Sequence, residues 1–106
     1  MSEFYDKLIS DIEGICRPLG VPLVADRHAL APRHPAVEVT PSNRWEGALE
    51  VVIRVGWSPK DDEICAKLEA QCDALFGKAP YKIVFKGGSL TKCYTIVSLF
   101  VADGGH

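Results

Sequence analysis

Four cysteines, three histidines and one glycine-rich stretch are the residues of this chain whose types could carry chemistry. None of Cys16, Cys65, Cys72 and Cys93 forms a C-x-x-C pair. Cys65 and Cys72 are closest, but on a helix seven residues set them about 10 Å apart along the axis, too far for a disulfide or a shared metal. A reactive thiol needs a cationic neighbour or a helix N-terminus. Cys65 instead follows Asp61, Asp62 and Glu63, which raise its pKa. All four read as small buried hydrophobes in a reducing compartment. His28, His34 and His106 have no metal-ligand spacing, and the first two stand beside Arg27 and Arg33 in a proline-rich stretch, as loop residues. Phe85-Lys86-Gly87-Gly88-Ser89 invites comparison with a phosphate cradle. It lacks the G-x-x-x-x-G-K-[ST] pattern and runs into strand-like sequence, so no helix N-terminus faces an anion, and a hairpin turn explains it better. With no G-x-S-x-G, no H-E-x-x-H and no carboxylate pair, the residues predict no catalytic site, no metal and no cofactor.

The chain that must position these groups has 106 residues, 47% apolar and 25% charged. That is the composition of an ordinary folded protein and the length of one domain, spanning residues 1–106 with 103–106 as a frayed tail. Twelve basic against fourteen acidic side chains give a formal charge of −2, which argues against a nucleic-acid binder held by a bulk field. No apolar run approaches the roughly 20 residues that span a bilayer. The opening MSEFYDKLISDIEG carries acids where a signal peptide needs a basic and then an apolar stretch, so synthesis in the cytosol without export is expected.

Hydrophobic spacing predicts an α+β fold. Phe4, Leu8, Ile12, Ile15 and Cys16 form one stripe of a helix over residues 2–16, capped by Ser2 and stopped by Pro18 and Gly20. Val21 to Val24 is a short apolar stretch, and Ala36 to Thr40 a brief strand with Val37 and Val39 on one face. Pro41 to Arg44 is a turn. Gly47 to Trp57 alternates, with Leu49, Val51, Ile53, Val55 and Trp57 opposite Glu50, Val52 and Arg54. Ser58, Pro59 and Asp61 open a second helix in a capping-box-like arrangement; Ile64, Leu68, Cys72, Leu75 and Phe76 form its stripe, and Gly77 ends it. Tyr81, Ile83 and Phe85 then alternate with Lys82 and Val84, and Cys93 to Ala102 is a last strand. A mostly antiparallel sheet of four to five strands under two helices follows.

The last strand is apolar on both faces. Cys93, Thr95, Val97, Leu99 and Val101 point one way, and Tyr94, Ile96, Phe100 and Ala102 the other. Two helices of about 10 Å each cover one face of a sheet about 19 Å wide, not both. The second face would combine Val52, Val84, Tyr94, Ile96 and Phe100 with Glu50, Arg54, Lys82 and Lys86, an apolar centre with a charged rim. Either the connecting loops fold over it or copies of the chain cover it, and association is the reading adopted. Arg44 and Trp45 make an interface anchor if the ring is exposed, and core if it packs down on the sheet. Arg27, His28, Arg33 and His34 form a basic loop suited to an acidic partner or a passing nucleic-acid backbone.

Four features taken together resemble the tail terminator (tail completion) proteins of long-tailed bacteriophages. They are the N-terminal amphipathic helix, the strand Pro35-Ala36-Val37-Glu38-Val39, the Trp45 loop running into Leu49-Glu50-Val51-Val52-Ile53-Arg54-Val55, and the Ser58-Pro59-x-Asp61-Asp62-Glu63 helix start followed by two strands. The resemblance implies a structural virion protein at the tail–neck junction, in a homohexameric ring. Such a ring caps the tail tube protein, meets head-completion proteins above, and lets DNA cross its lumen unread. The interface would be Arg44, Trp45, Arg54, Tyr94, Ile96 and Phe100. The competing reading is a small monomeric or dimeric α+β module that binds a ligand or a partner.

Overall fold

A computed structural model describes residues 3–24, 35–56, 58–90 and 95–104. Helix α1 (Glu3–Leu19) is followed by β1 (Leu23–Val24), β2 (Ala36–Pro41), β3 (Leu49–Val55), α2 (Pro59–Phe76), β4 (Tyr81–Leu90) and β5 (Thr95–Asp103). The strands form one sheet in the order β1-β2-β3-β5-β4, antiparallel throughout except for the parallel β1–β2 pair. The expected α+β class holds.

Register explains which residues reach the core. Val37, Ile53 and Val97 stand in one row across β2, β3 and β5, and Val39, Val51 and Leu99 in the next. All six are buried, packed beneath Leu8, Ile12 and Cys16 of α1 and Leu68, Cys72 and Phe76 of α2. The helices therefore cover one face of the sheet, the side that period-two alternation assigns to them.

The ends of the helices depart from expectation in instructive ways. Helix α1 does not stop at Cys16 but runs through Pro18. A proline here forfeits one bond, to the carbonyl of Gly14 on the exposed face, instead of breaking a buried ladder. Gly20, at φ 67°, then closes the helix: its N–H donates to the Arg17 carbonyl and the Val21 N–H to that of Cys16, both at 3.1 Å. Val21 is thereby folded back onto Cys16 in the core, the hydrophobic companion of this cap. At the start of α2 the Ser58 hydroxyl accepts from the Asp61 N–H at 3.0 Å. The Asp61 carboxylate completes no reciprocal box; it reaches farther back and accepts from the Gly56 N–H at 3.0 Å. A β-carbon at residue 56 would lie 2.6 Å from that carboxylate oxygen, so a side chain there would push the Asp61 carboxylate aside and cost this bond. Gly77 ends α2 in right-handed geometry, at φ −80°, its N–H still donating to Asp73.

Two further expectations are overturned. Lys86-Gly87-Gly88-Ser89 is not a turn but the second half of β4, paired with Leu99, Ser98, Val97 and Ile96. Its glycines relieve crowding: a β-carbon on Gly88 would lie 2.9 Å from the Ile96 carbonyl, and one on Gly87 2.9 Å from the Phe85 ring. Nor is Asp103 part of a frayed tail, because it pairs with Tyr81 at the end of β5. Gly104 follows it, its N–H donating to the Pro80 carbonyl.

A long-range polar bond ties helix α1 to the sheet. The Tyr81 hydroxyl donates to Asp11 at 2.6 Å, while its ring packs against Phe4 and Phe76 and lies under the Lys7 ammonium. Partial burial pulls the Asp11 pKa up, but the hydrogen bonds from Tyr81 and Lys7 outweigh it and the net shift is downward. Burial, helped by Asp11, pushes the Tyr81 phenol up. A carboxyl depressed on folding contributes stability that is complete above its unfolded pKa of about 3.9 and is lost as pH falls through the lower folded value. Tyr81→Phe is therefore expected to cost about 1–2 kcal/mol at pH 7, with the gap to wild type narrowing below about pH 4 in urea titrations.

Candidate interaction face

The helix-free face of the sheet is shaped by one extra residue. In β4, Ile83 pairs with Val101 and Phe85 with Phe100, so Val84 is left without an opposite number. Such a bulge reverses the facing of every later residue. Phe85, expected on the same side as Tyr81 and Ile83, turns to the helix-free face beside Phe100. Lys86, expected on that face, turns to the helices. There its ammonium lies 3.2 Å from Asp73 and 3.6 Å from Glu69, and the Asp73 hydrogen bond, with Glu69 in support, raises its pKa.

Seven residues, 42–48, connect β2 to β3 and fold over this face. The Ser42 hydroxyl accepts from the N–H groups of Arg44 and Trp45, each at 3.0 Å. The Ser42 N–H donates to the Ala48 carbonyl at 2.9 Å and the Ala48 N–H to that of Trp45 at 3.1 Å, with Gly47 at φ 79° making the reversal. This frame lays Trp45 down across the sheet. Its ring centroid stands 4.7 Å from Phe100 on β5 and 5.3 Å from Phe85 on β4, nearly parallel to the latter. Phe85 and Phe100 are themselves 6.0 Å apart. The Arg44 guanidinium caps the group, 4.8 Å from the Trp45 ring and 5.7 Å from the Phe85 ring, within reach of cation–π attraction.

Of the residues expected at an interface, Arg44 is exposed, Ile96 half-buried and Trp45 half-buried. Phe100 is only 9% exposed, closed over by Trp45, so it is a core residue of the free face and not an offered surface. Arg54 is held in place by an ion pair with Glu38 at 2.9 Å across the β2–β3 ladder. Tyr94 lies outside the described residues, as do Arg27, His28, Arg33 and His34 of the basic loop. Phe85 takes the position that alternation assigned elsewhere. At 43% exposure it is the most exposed large apolar side chain among the described residues, next to Val84 at 37% and Ile83 at 36%. The signal for it was present: two glycines after an aromatic in a strand leave a hollow that the ring can cover, as Phe85 covers Gly87.

The thiols offer little reactivity. Burial raises Cys16 to about 11, with lesser help from Glu13, and Cys72 to about 12, with lesser help from Cys16 and then from Asp73 and Glu69. Cys65 also rises to about 11, from partial burial and then from Glu69, whose carboxylate accepts the thiol hydrogen at 3.5 Å, and Asp62. Of the three acids ahead of Cys65, only Asp62 contributes, since the Asp61 carboxylate is turned back to Gly56. Among the described residues no group of three or more His, Cys, Asp and Glu could hold a metal ion, and no helix is long and apolar enough to cross a membrane. An open groove of about 360 Å³ lies between α1 and β1, floored by Ile9, Cys16, Val21 and Leu23 and rimmed by the Glu13–Arg17 ion pair.

Comparison of the chain with protein-family models, with curated proteins and with solved structures finds no match.

The aromatic group gives a direct test of the geometry. Gly87→Val places branched carbons where the Phe85 ring now lies, and the ring must swing off Trp45. The ring-current shifts of the Phe85 and Phe100 protons are expected to collapse, with about 0.5–1.5 kcal/mol of stability lost for the broken stack. Unchanged shifts would show that Phe85 does not cover Gly87.

Proposed function

We propose that this chain is a structural protein that works by association, and that its place is the ring of a phage tail terminator. In that reading six copies cap a tail tube, bind head-completion proteins on the other side, and leave a lumen for DNA. The observation that carries association is the Arg44–Trp45–Phe85 surface. A large aromatic side chain stands 43% exposed beneath a guanidinium, on a face that the chain's own helices do not cover. Aromatic and arginine side chains in such a setting are the usual anchors of protein interfaces. The loop already roofs Phe100, so the surface left for a neighbour is narrower than the whole face: Phe85 and the bulged Val84, with Arg44 and Lys82 at the rim. Identification with a tail terminator rests on the resemblance, which adds the ring, the tube and the neck.

A second reading draws on the groove between α1 and β1. Its apolar floor and charged rim suit a small amphiphilic ligand, and on that reading the chain is a monomeric or dimeric binding module.

Light scattering coupled to size exclusion separates the two. A hexamer has a mass of roughly 70 kDa against 11.6 kDa for one chain, and forms rings visible in negative stain. Phe85→Asp is expected to abolish association and leave a folded monomer, losing about 0.5–1.5 kcal/mol with the Trp45 stack. Phe100→Asp, which puts a charge beneath Trp45, is expected to destabilise the fold itself by about 3 kcal/mol or more. A wild-type chain that stays monomeric at millimolar concentration, alone and with tail tubes, would overturn the ring.

A further inference from the structure

We infer that the outer edge of β4 is a docking edge for an extended, acidic segment of another protein, which joins the sheet as a sixth strand. The sheet order ends at β4, and among the described residues no strand lies along its outer side. The edge is ten residues long, whereas the opposite edge, β1, has two. Long edges with unpaired N–H and C=O groups are templates for a further strand; the lysines and the Val84 bulge of this edge disfavour pairing with a like strand and leave an oppositely charged one as the occupant that fits.

The charge pattern selects the occupant. From Gly77 to Lys92 the chain reads GKAPYKIVFKGGSLTK, with Lys78, Lys82, Lys86 and Lys92 and not one acid. The helices carry the opposite sign: Glu3, Asp6, Asp11 and Glu13 on α1, and Asp61, Asp62, Glu63, Glu69 and Asp73 on α2, against two basic residues each. Lys86 is committed to Asp73 and Glu69, while Lys78 and Lys82 are exposed. A strand with acids on the side of Lys82 and apolar residues on the side of Ile83 would satisfy both the charge and the exposed apolar surface at the edge.

A second copy does not supply that strand. Another β4 would set lysine against lysine with no acid in either strand, and the Val84 bulge would disturb the ladder from both sides. A neighbour's β1 is too short to follow ten residues. The inference is independent of whether copies form a ring, because it concerns the edge of the sheet and not its aromatic face.

The test uses a fluorescein-labelled decapeptide of alternating Glu and Val, its Lys–Val counterpart, and a Glu–Val peptide with N-methyl groups on alternate residues. Anisotropy with the whole protein should show the Glu–Val peptide binding, with affinity falling at least about tenfold between low and high salt. The other two peptides should bind at least about tenfold more weakly. Amide shift changes should concentrate on Tyr81 to Leu90, and Lys82→Glu, an exposed substitution, should weaken the Glu–Val peptide and strengthen the Lys–Val one. No binding up to about 1 mM, equal binding of all three peptides, or shifts centred on the α1–β1 groove would overturn the inference. Running the same titration on Phe85→Asp separates the two ideas: retained peptide binding with lost association, or the reverse, shows which of them fails.

Discussion

An antiparallel ladder leaves a strand no freedom over which side chains share a face, and in β4 one unmatched residue exchanges the faces of all that follow. Val84 is that residue. Before it, Tyr81 joins the core beneath the helices; after it, Phe85 is delivered to the opposite side and Lys86 to the acids of α2. Remove the offset and both would be misplaced, with a lysine against the aromatic group and a phenylalanine against two carboxylates. The free face, the anchoring of α2 to the sheet edge and the placing of Trp45 all depend on it.

Trp45 is where the competing demands of the free face meet. Two helices leave one side of the sheet uncovered, and the β2–β3 loop answers part of that shortage by setting an indole over Phe100. The answer costs little backbone freedom because Ser42 and Gly47 fix the loop through hydrogen bonds and one left-handed residue. What the indole does not reach is at the β4 edge, where apolar surface and positive charge occur together.

Most of the architecture was legible in residue spacing because burial on one side imposes a simple period. The stripes Leu8–Ile12–Cys16 and Leu68–Cys72–Phe76, and the alternation from Leu49 to Val55, identify the core directly. What could not be read was the consequence of an offset between strands: the bulge depends on pairing with β5, a relation absent from the local pattern of Tyr81 to Phe85. The glycine pair misled for a related reason. Glycine commonly marks a turn, but here Gly87 makes room for the Phe85 ring of its own strand and Gly88 for a carbonyl that only the neighbouring strand discloses. The end of α1 was misplaced because proline near a helix terminus costs one exposed hydrogen bond, too little to end the helix when Gly20 provides a full cap two residues later. For the candidate site, Arg44 and Trp45 were found from their types, while Phe85 was assigned to the wrong side by the same offset.

The bond between Tyr81 and Asp11 joins positions seventy residues apart. Helix α1 is synthesised long before its partner exists, and its amphipathic stripe has no sheet to lie on until β3 and β5 have paired. Few local contacts compensate for that delay: close in sequence the helix meets β1 and the Gly20–Val21 cap, while α2 and Tyr81 come from distant parts of the chain. Assembly of this domain is thus a collective event in which a segment made ahead of its partners is secured only when they arrive, and until then its oily side stays uncovered.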